Sequence, residues 1–214
     1  MSDVVIREIG EEDLPALKSL IVEAFGKGWN LGRFDQSGDF FAALLDVYLS
    51  IFLEPSTFGK VAVMGDEVVG ATLCSVRGEP EIFRRLLSGT APNTLVLLSA
   101  EETERADIVE HLSVSFQTIG RLLESRADAY GGSLEFISVS QRAQGLKIGK
   151  ALWEQARAYY ISKGAKHIYL ISDSACNTGF YDHNGFCRTG AEEAVYNYTA
   201  GQRRLRVFVY EYEF

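Results

Sequence analysis

The segment with the clearest chemical potential is a glycine-containing loop that leads into a helix. Residues 134–139 predict an apolar strand, residues 140–149 hold Gly145 and Gly149, and the apolar spacing from Ile148 onward is typical of a helix. The first N–H groups of a helix have no intrahelical partner and carry the positive end of its dipole. Because glycines let the main chain approach an anion closely, this loop predicts a phosphate or pyrophosphate site.

The same turn carries positive charge, although its glycine pattern is not a common nucleotide-binding motif. Lys147 and Lys150 add two cations. A P-loop needs Ser or Thr after Lys150, where this sequence has Ala151, and the spacing of Gly145 and Gly149 does not match the dinucleotide fingerprint. Taken alone, the segment is compatible with a plain strand–loop–helix connection as well as with an anion site.

Two segments resemble motifs of the GNAT superfamily of N-acetyltransferases. Residues 144–149 resemble the acyl-CoA pyrophosphate loop, written Q/R-x-x-G-x-G/A, with Lys147 in place of the inner glycine. Residues 175–186 resemble the signature N-x-x-A-x-x-F-Y-x-x-x-G-F, in which the matching positions are Asn177, Phe180, Tyr181, Gly185 and Phe186. The resemblance covers residues 1–76 and 131–214, so it implies a GNAT-like fold for most of the chain.

The resemblance implies how acetyl-CoA would bind. In GNAT enzymes the strand before the loop separates from its neighbour, and the cofactor pairs with the exposed strand as an added strand would. Applied to this sequence, Ile137 and Val139 would offer backbone contacts, and Asn177 would contact the cofactor arm. The pyrophosphate would lie on a loop formed by Gln144, Gly145, Leu146, Lys147, Ile148, Gly149 and Lys150.

The implied reaction is direct acetyl transfer to an uncharged amine. The resemblance places Tyr181 near the thioester sulfur, where its hydroxyl would protonate the departing thiolate. Strand alternation puts Glu135 on the same side as Ile137 and Val139, as a candidate base with a raised pKa or as a salt-bridged structural acid. Cys176 has no diagnostic histidine partner and is read as a packing residue. The alternative function is a non-catalytic acyl-CoA-binding module.

Composition and charge limit the range of partners. A net charge of −8 argues against nucleic-acid binding. It fits a cationic acceptor, either a small-molecule amine or a peptide, and it equally fits the ordinary solubility of a globular protein. The three cysteines and three histidines show no zinc-ligand spacing, so no metal is predicted. We expect a cytoplasmic protein with no membrane partner, because the chain shows neither a signal peptide nor a long apolar run.

Periodicity along the chain predicts a mixed α/β domain spanning residues 1–214, with a central, mostly antiparallel sheet of splayed strands flanked by helices. Residues 78–130 have no counterpart in the family pattern and are predicted to be a helical insertion. This insertion would either cover the acceptor side of the cleft or bury an oligomer interface, for example that of a homodimer. The other elements are expected at 3–9, 14–25, 38–53, 60–64, 68–76, 134–139, 148–163, 167–172, 175–183 and 205–214.

Overall fold

One seven-stranded sheet organises the chain in the computed structural model, which describes residues 4–87, 96 and 100–214. The strands are Val4–Glu8 (β1), Phe58–Met64 (β2), Glu67–Val76 (β3), Gly132–Val139 (β4), His167–Asp173 (β5), Cys187–Tyr198 (β6) and Gly201–Glu213 (β7). The α-helices are Leu14–Phe25 (α1), Asp39–Leu53 (α2), Glu102–Leu123 (α3), Ile148–Ser162 (α4) and Gly179–His183 (α5). The mixed α/β fold predicted from the sequence is confirmed.

The strand order is β1-β2-β3-β4-β5-β7-β6, and the pairing of β4 with β5 is the one parallel pairing among the described strands. These two strands pair at only two positions, Gly132 with Ile168 and Ser133 with Tyr169. Beyond Ser133 they separate, so β4 has an unpaired edge facing β5. Backbone N–H and C=O groups along such an edge can pair with an extended ligand. The expectation of a mostly antiparallel sheet with splayed strands is therefore confirmed.

Helices cover both faces of the sheet. Helices α1 and α2 bury an apolar core with Leu73 and Phe136 on one face. Helix α4 covers the other face, where Trp153 and Tyr160 are fully buried beside Leu134. No helix in the described ranges is both long and apolar enough to span a membrane.

The predicted insertion contributes one long helix, α3, which packs against the β6–β7 hairpin. The Asp107 carboxylate accepts hydrogen bonds from the Thr199 N–H (2.7 Å) and hydroxyl (3.1 Å). The Glu110 carboxylate accepts the Asn197 N–H at 2.7 Å. Val114, Ile119 and Leu122 of α3 also pack against the apolar residues of this hairpin, whereas Val109 and Phe116 are exposed. Residues 88–95 and 97–99 of the predicted insertion lie outside the described residues.

His111 is a buried polar residue of α3, with 3% of its surface exposed. Its Nδ1 lies 2.8 Å from the Tyr198 hydroxyl, and its ring stacks on Tyr196 at 5.1 Å. Burial, together with the nearby positive charges of Arg33 and Arg203, lowers the pKa of His111 to about 4. The imidazole is therefore neutral at pH 7, and its protonation opposes folding.

We expect the protein to lose stability as the pH falls from about 6.5 towards 4. An unfolded histidine takes up its proton near pH 6.5, whereas His111 in the folded chain resists protonation, so the loss reaches on the order of 3 kcal/mol. His111→Phe should reduce the dependence of the free energy of unfolding on pH in this range. Urea unfolding at a series of pH values measures the effect, with His183→Phe as the control because His183 is exposed. An unchanged slope in His111→Phe would contradict the assignment.

Candidate active site

A cleft of about 960 Å³ opens where β4 and β5 separate. Its walls come from α1, the end of β4, the loop before α4, and the segment that contains α5. Ten of the residues singled out from the sequence line it: Ile137, Val139, Gln144, Gly145, Lys147, Ile148, Gly149, Lys150, Asn177 and Tyr181. Segments distant in sequence thus meet in one cavity. Leu146 and Glu135 are not among its lining residues.

The loop before α4 presents unpaired backbone N–H groups to this cleft. Helix α4 begins at Ile148, and its first helical hydrogen bond runs from the Ala151 N–H to the Lys147 carbonyl at 3.1 Å. The N–H groups of residues 148–150 precede that bond, and no side chain in the described part of the protein caps them. They carry the positive end of the helix dipole, so the local electrostatics favour an anion.

The loop uses two residues in the left-handed region of backbone conformation. Gly145 has φ +83° and Lys147 has φ +61°. Glycine adopts this conformation freely, whereas a lysine pays roughly 1 kcal/mol for it. Lys147 therefore holds a backbone conformation that the inner glycine of the resembled motif would adopt without strain. The neighbouring Leu146 side chain is 52% exposed.

Tyr181 projects from α5 into the cleft and packs against other aromatic rings. Its ring lies 5.3 Å from that of Tyr210 and 5.8 Å from that of Phe186. Burial raises the pKa of Tyr181 well above its ordinary value, so the hydroxyl is protonated at neutral pH. Burial likewise raises the pKa of Cys176 to about 12, which keeps this cleft thiol from acting as a thiolate nucleophile.

The helix predicted over residues 175–183 is shorter in the structure and begins at Gly179. The Asp173 carboxylate accepts the Ala175 N–H at 2.7 Å, and the Asp173 carbonyl accepts the Cys176 N–H at 3.2 Å. These bonds form a turn at the end of β5, so the helix begins several residues later than predicted. The turn leaves Asn177 exposed at the rim of the cleft.

Glu135 does not share a face with Ile137 and Val139, so the prediction from strand alternation is wrong. In the register of β3 with β4, Leu73 pairs with Phe136 and Cys74 pairs with Leu134, which leaves Glu135 as an extra residue in a β-bulge. Its carboxylate accepts a hydrogen bond from Ser133 and forms no ion pair within the described residues. The alternative reading as a salt-bridged acid is therefore also wrong, while a role as base stays a prediction.

Glu23 of α1 lines the cleft, and sequence reasoning missed it. Its carboxylate accepts hydrogen bonds from the Ser140 hydroxyl (3.1 Å) and the Gln141 N–H (2.9 Å). Glu23 therefore ties α1 to the point where β4 turns into the loop. No local signal could have identified it, because its partners lie more than a hundred residues away in the sequence.

A comparison with family models identifies the architecture. The model described as the Acetyltransferase (GNAT) family matches residues 14–186, a span that contains both motifs and all four segments that line the cleft. The chain belongs to the GNAT acetyltransferase family. No curated protein sequence matches this GNAT chain.

Solved structures share the GNAT fold of this chain at low sequence identity. The apo form of an agmatine N-acetyltransferase mutant has a TM-score of 0.58 at 14% identity, covering 99% of this chain and 100% of that one. The ribosomal-protein-S18-alanine N-acetyltransferase of Escherichia coli has a TM-score of 0.55 at 13% identity, and the match covers 99% of this chain and 94% of that one. The PaiA N-acetyltransferase of Thermoplasma acidophilum, solved in complex with coenzyme A, has a TM-score of 0.51 at 13% identity, and the match covers 99% of each chain. At such identities these structures show the fold alone.

Two glycine substitutions test the backbone requirement of the loop. A Cβ added at Gly145 or at Gly120 of α3 meets no atom within 4 Å, so the two sites differ in backbone conformation rather than in space. We expect Gly145→Ala to lower the free energy of unfolding by roughly 1 kcal/mol because its φ is positive. Gly120→Ala should raise it by up to about 1 kcal/mol because alanine favours a helix. Urea unfolding measures both, and equal signs would contradict the assigned loop geometry.

Proposed function

We propose that this GNAT chain transfers an acetyl group from acetyl-CoA directly to a primary amine of a small molecule or peptide, with Tyr181 as general acid. The observation that carries the proposal is the convergence of three features in one cleft. The unpaired edge of β4, the uncapped N-terminus of α4 and the protonated Tyr181 hydroxyl all border it. Each matches one part of the reaction.

The residues of the cleft fit the chemistry of acetyl-CoA, which would supply an activated thioester. The free N–H groups at the start of α4 suit its pyrophosphate, and Lys147 and Lys150 add positive charge beside them. The unpaired edge of β4 at Ile137 and Val139 suits its pantetheine amides, which can pair as an added strand. The cleft therefore has groups that complement both the pyrophosphate and the pantetheine of acetyl-CoA.

Tyr181 supplies the proton that the departing sulfur requires. A thiolate leaves more readily when a nearby acid protonates it, and a tyrosine that is fully protonated at neutral pH can do so. Cys176 remains a thiol, which favours attack by the amine itself over an acyl-cysteine intermediate. The proposed route is therefore a single direct transfer.

The structural neighbours support a primary amine as acceptor. One is named for agmatine, a small amine, and another for the alanine of a ribosomal protein. Both classes of acceptor present an amino group that must lose a proton before it attacks. The net charge of −8 is compatible with attraction of such a cation.

We expect Tyr181→Phe to lower kcat by about 10²- to 10⁴-fold while leaving the affinity for acetyl-CoA unchanged, because only the acidic hydroxyl is lost. Thiol release with a panel of amines measures turnover, and calorimetry measures binding. The matched control is Tyr212→Phe, whose hydroxyl accepts the Arg157 Nε–H at 3.2 Å and does not line the cleft.

Two outcomes would overturn parts of the proposal. Unchanged turnover in Tyr181→Phe would remove this residue from the acid role. Tight binding of acetyl-CoA without turnover on any amine would favour the alternative, a non-catalytic acyl-CoA-binding module.

Lys147→Gly separates the charge of the loop from its backbone shape. Glycine keeps the positive φ without strain, so the turn and its N–H groups are preserved. We expect acetyl-CoA to bind roughly fivefold more weakly because one cation is lost near the phosphates, with no loss of protein stability. The control is Lys166→Gln, since Lys166 is exposed and does not line the cleft. Equal affinities in the two variants would exclude a phosphate contact by Lys147.

A further inference from the structure

The two ends of the acetyl-CoA cleft can be distinguished by the contacts between α1 and β4. Glu23 of α1 accepts hydrogen bonds from Ser140 and Gln141, where β4 turns into the loop before α4. Phe25, two residues later in α1, lies against Phe136 of β4, with ring centroids 6.1 Å apart. The cleft therefore runs from a phosphate end beside Glu23 to an inner end beside Phe25.

The lysine and glutamate side chains that line the cleft lie at its phosphate end. They are Glu23, Lys147 and Lys150. The inner end is lined instead by uncharged side chains, namely those of Phe25, Ile137, Ala175, Cys176 and Tyr181. The two titratable groups of this set keep their protons at neutral pH because burial raises their pKa values. The cleft is thus charged where the phosphates would lie and uncharged where the amine would react.

The inner end is closed where the chain after α1 meets the end of β5. A Cβ built on Gly28 would lie 3.1 Å from the Ala175 Cβ and 3.6 Å from the Asp173 Oδ2, so the two segments are in close contact. The Asp173 carboxylate is buried beside this contact, accepts the Ala175 N–H at 2.7 Å and does not line the cleft. Phe25 is therefore the wall of the inner end on the side of α1.

Phe25 belongs to an array of nearly parallel aromatic rings. Its ring stacks on that of Trp29, with centroids 4.4 Å apart and an interplanar angle of 8°. The Phe52 ring lies 5.7 Å from that of Phe25 at 18° and 6.3 Å from that of Trp29 at 11°. Of these three residues, Phe25 alone lines the cleft. A further ring placed against Phe25 from the cleft would gain the same kind of contact.

We infer that the inner end selects primary amines that carry an aromatic ring, with that ring packed against Phe25. The inference rests on the proposed function. An aromatic ring buries apolar surface at this wall, whereas a second ammonium group would lose its hydration and meet no carboxylate among the described residues that line the inner end. The same surroundings favour the neutral, nucleophilic form of the reacting amine, because burial disfavours the charged form. Ring-bearing amines are therefore favoured over diamines.

Three small primary amines test the acceptor class in the full-length protein. Thiol release from acetyl-CoA gives kcat/KM for 2-phenylethylamine, 2-cyclohexylethylamine and 1,4-diaminobutane. We expect the value for 2-phenylethylamine to exceed that for 1,4-diaminobutane by roughly tenfold or more. It should exceed the value for 2-cyclohexylethylamine by roughly 2- to 10-fold, because only the aromatic ring can stack. A diamine that reacts as well as 2-phenylethylamine, or equal values for the two ring-bearing amines, would overturn the inference.

Phe25→Ala should remove the preference for the aromatic amine. We expect kcat/KM for 2-phenylethylamine to fall by roughly tenfold or more, with a fall of less than about twofold for 1,4-diaminobutane. Phe25→Leu, which keeps apolar bulk without the ring, should give an intermediate preference. The ratio of the two values does not depend on the fraction of folded enzyme, so a partly unfolded variant still gives an answer.

The matched control for this series is Phe116→Ala, because the Phe116 side chain of α3 is 55% exposed and does not line the cleft. Its ratio of kcat/KM values should equal that of the parent. An equal fall for both amines in Phe25→Ala would show a general structural effect and would overturn the inference.

Binding gives a readout independent of turnover. In the presence of coenzyme A, which carries no acetyl group to transfer, calorimetry should show 2-phenylethylamine binding to the parent with a negative change in heat capacity, since apolar surface is buried. Phe25→Ala should weaken this binding by roughly tenfold and leave the affinity for coenzyme A itself unchanged. An unchanged affinity for 2-phenylethylamine in Phe25→Ala would overturn the inference.

The proposed function and this inference fail in different ways. If the parent consumes acetyl-CoA with 1,4-diaminobutane as readily as with 2-phenylethylamine, acetyl transfer to amines stands and the inference alone is overturned. If the parent releases no thiol from acetyl-CoA with any amine, the proposed function fails and the inference falls with it.

Discussion

The separation of β4 from β5 is the constraint on which the rest of this molecule depends. Parallel pairing stops after Ser133 and Tyr169, so β4 runs on as a strand with one free edge inside the sheet. A free edge is normally a liability because it can pair with another chain. Here α1, the loop before α4 and the segment after β5 surround it, which turns the unpaired groups into one wall of a cleft. The same separation brings the N-terminus of α4 and Tyr181 to that wall.

The sequence was most informative about features that depend on residues close together in the chain. The loop at residues 144–149 and the segment at 175–186 each carry their information in a few consecutive residues, since a positive φ, a helix start and an aromatic pair depend on near neighbours. The splayed sheet followed from the resemblance to the GNAT family. Most strands followed from β-branched or apolar runs and the last one from alternation, whereas the bounds of β6 were not predicted. The cleft could therefore be assembled in outline before any coordinates were known.

The parts that could not be predicted depend on partners far away in the sequence. The side of the sheet on which Glu135 lies is set by a bulge that arises from register with β3, and alternation within β4 alone gives the opposite answer. Glu23 reads as an ordinary residue of a surface helix until the loop at Ser140 is placed against it. The position of α3 against the β6–β7 hairpin depends on contacts such as the hydrogen bond between Asp107 and Thr199. The hydrophobic periodicity of α3 does not predict such contacts.

The bulge in β4 also gives this sheet two chemically different ends. On the cleft side, Ile137 and Val139 lie beside free backbone groups and the positive end of α4, which suits an anionic cofactor. At the other end, Ser133 lines a smaller cavity and donates a hydrogen bond to the Glu135 carboxylate. An unbulged strand would have placed Glu135 on the face of Ile137 and Val139, which line the cleft. A single inserted residue thus keeps the Glu135 carboxylate out of the lining of the cleft.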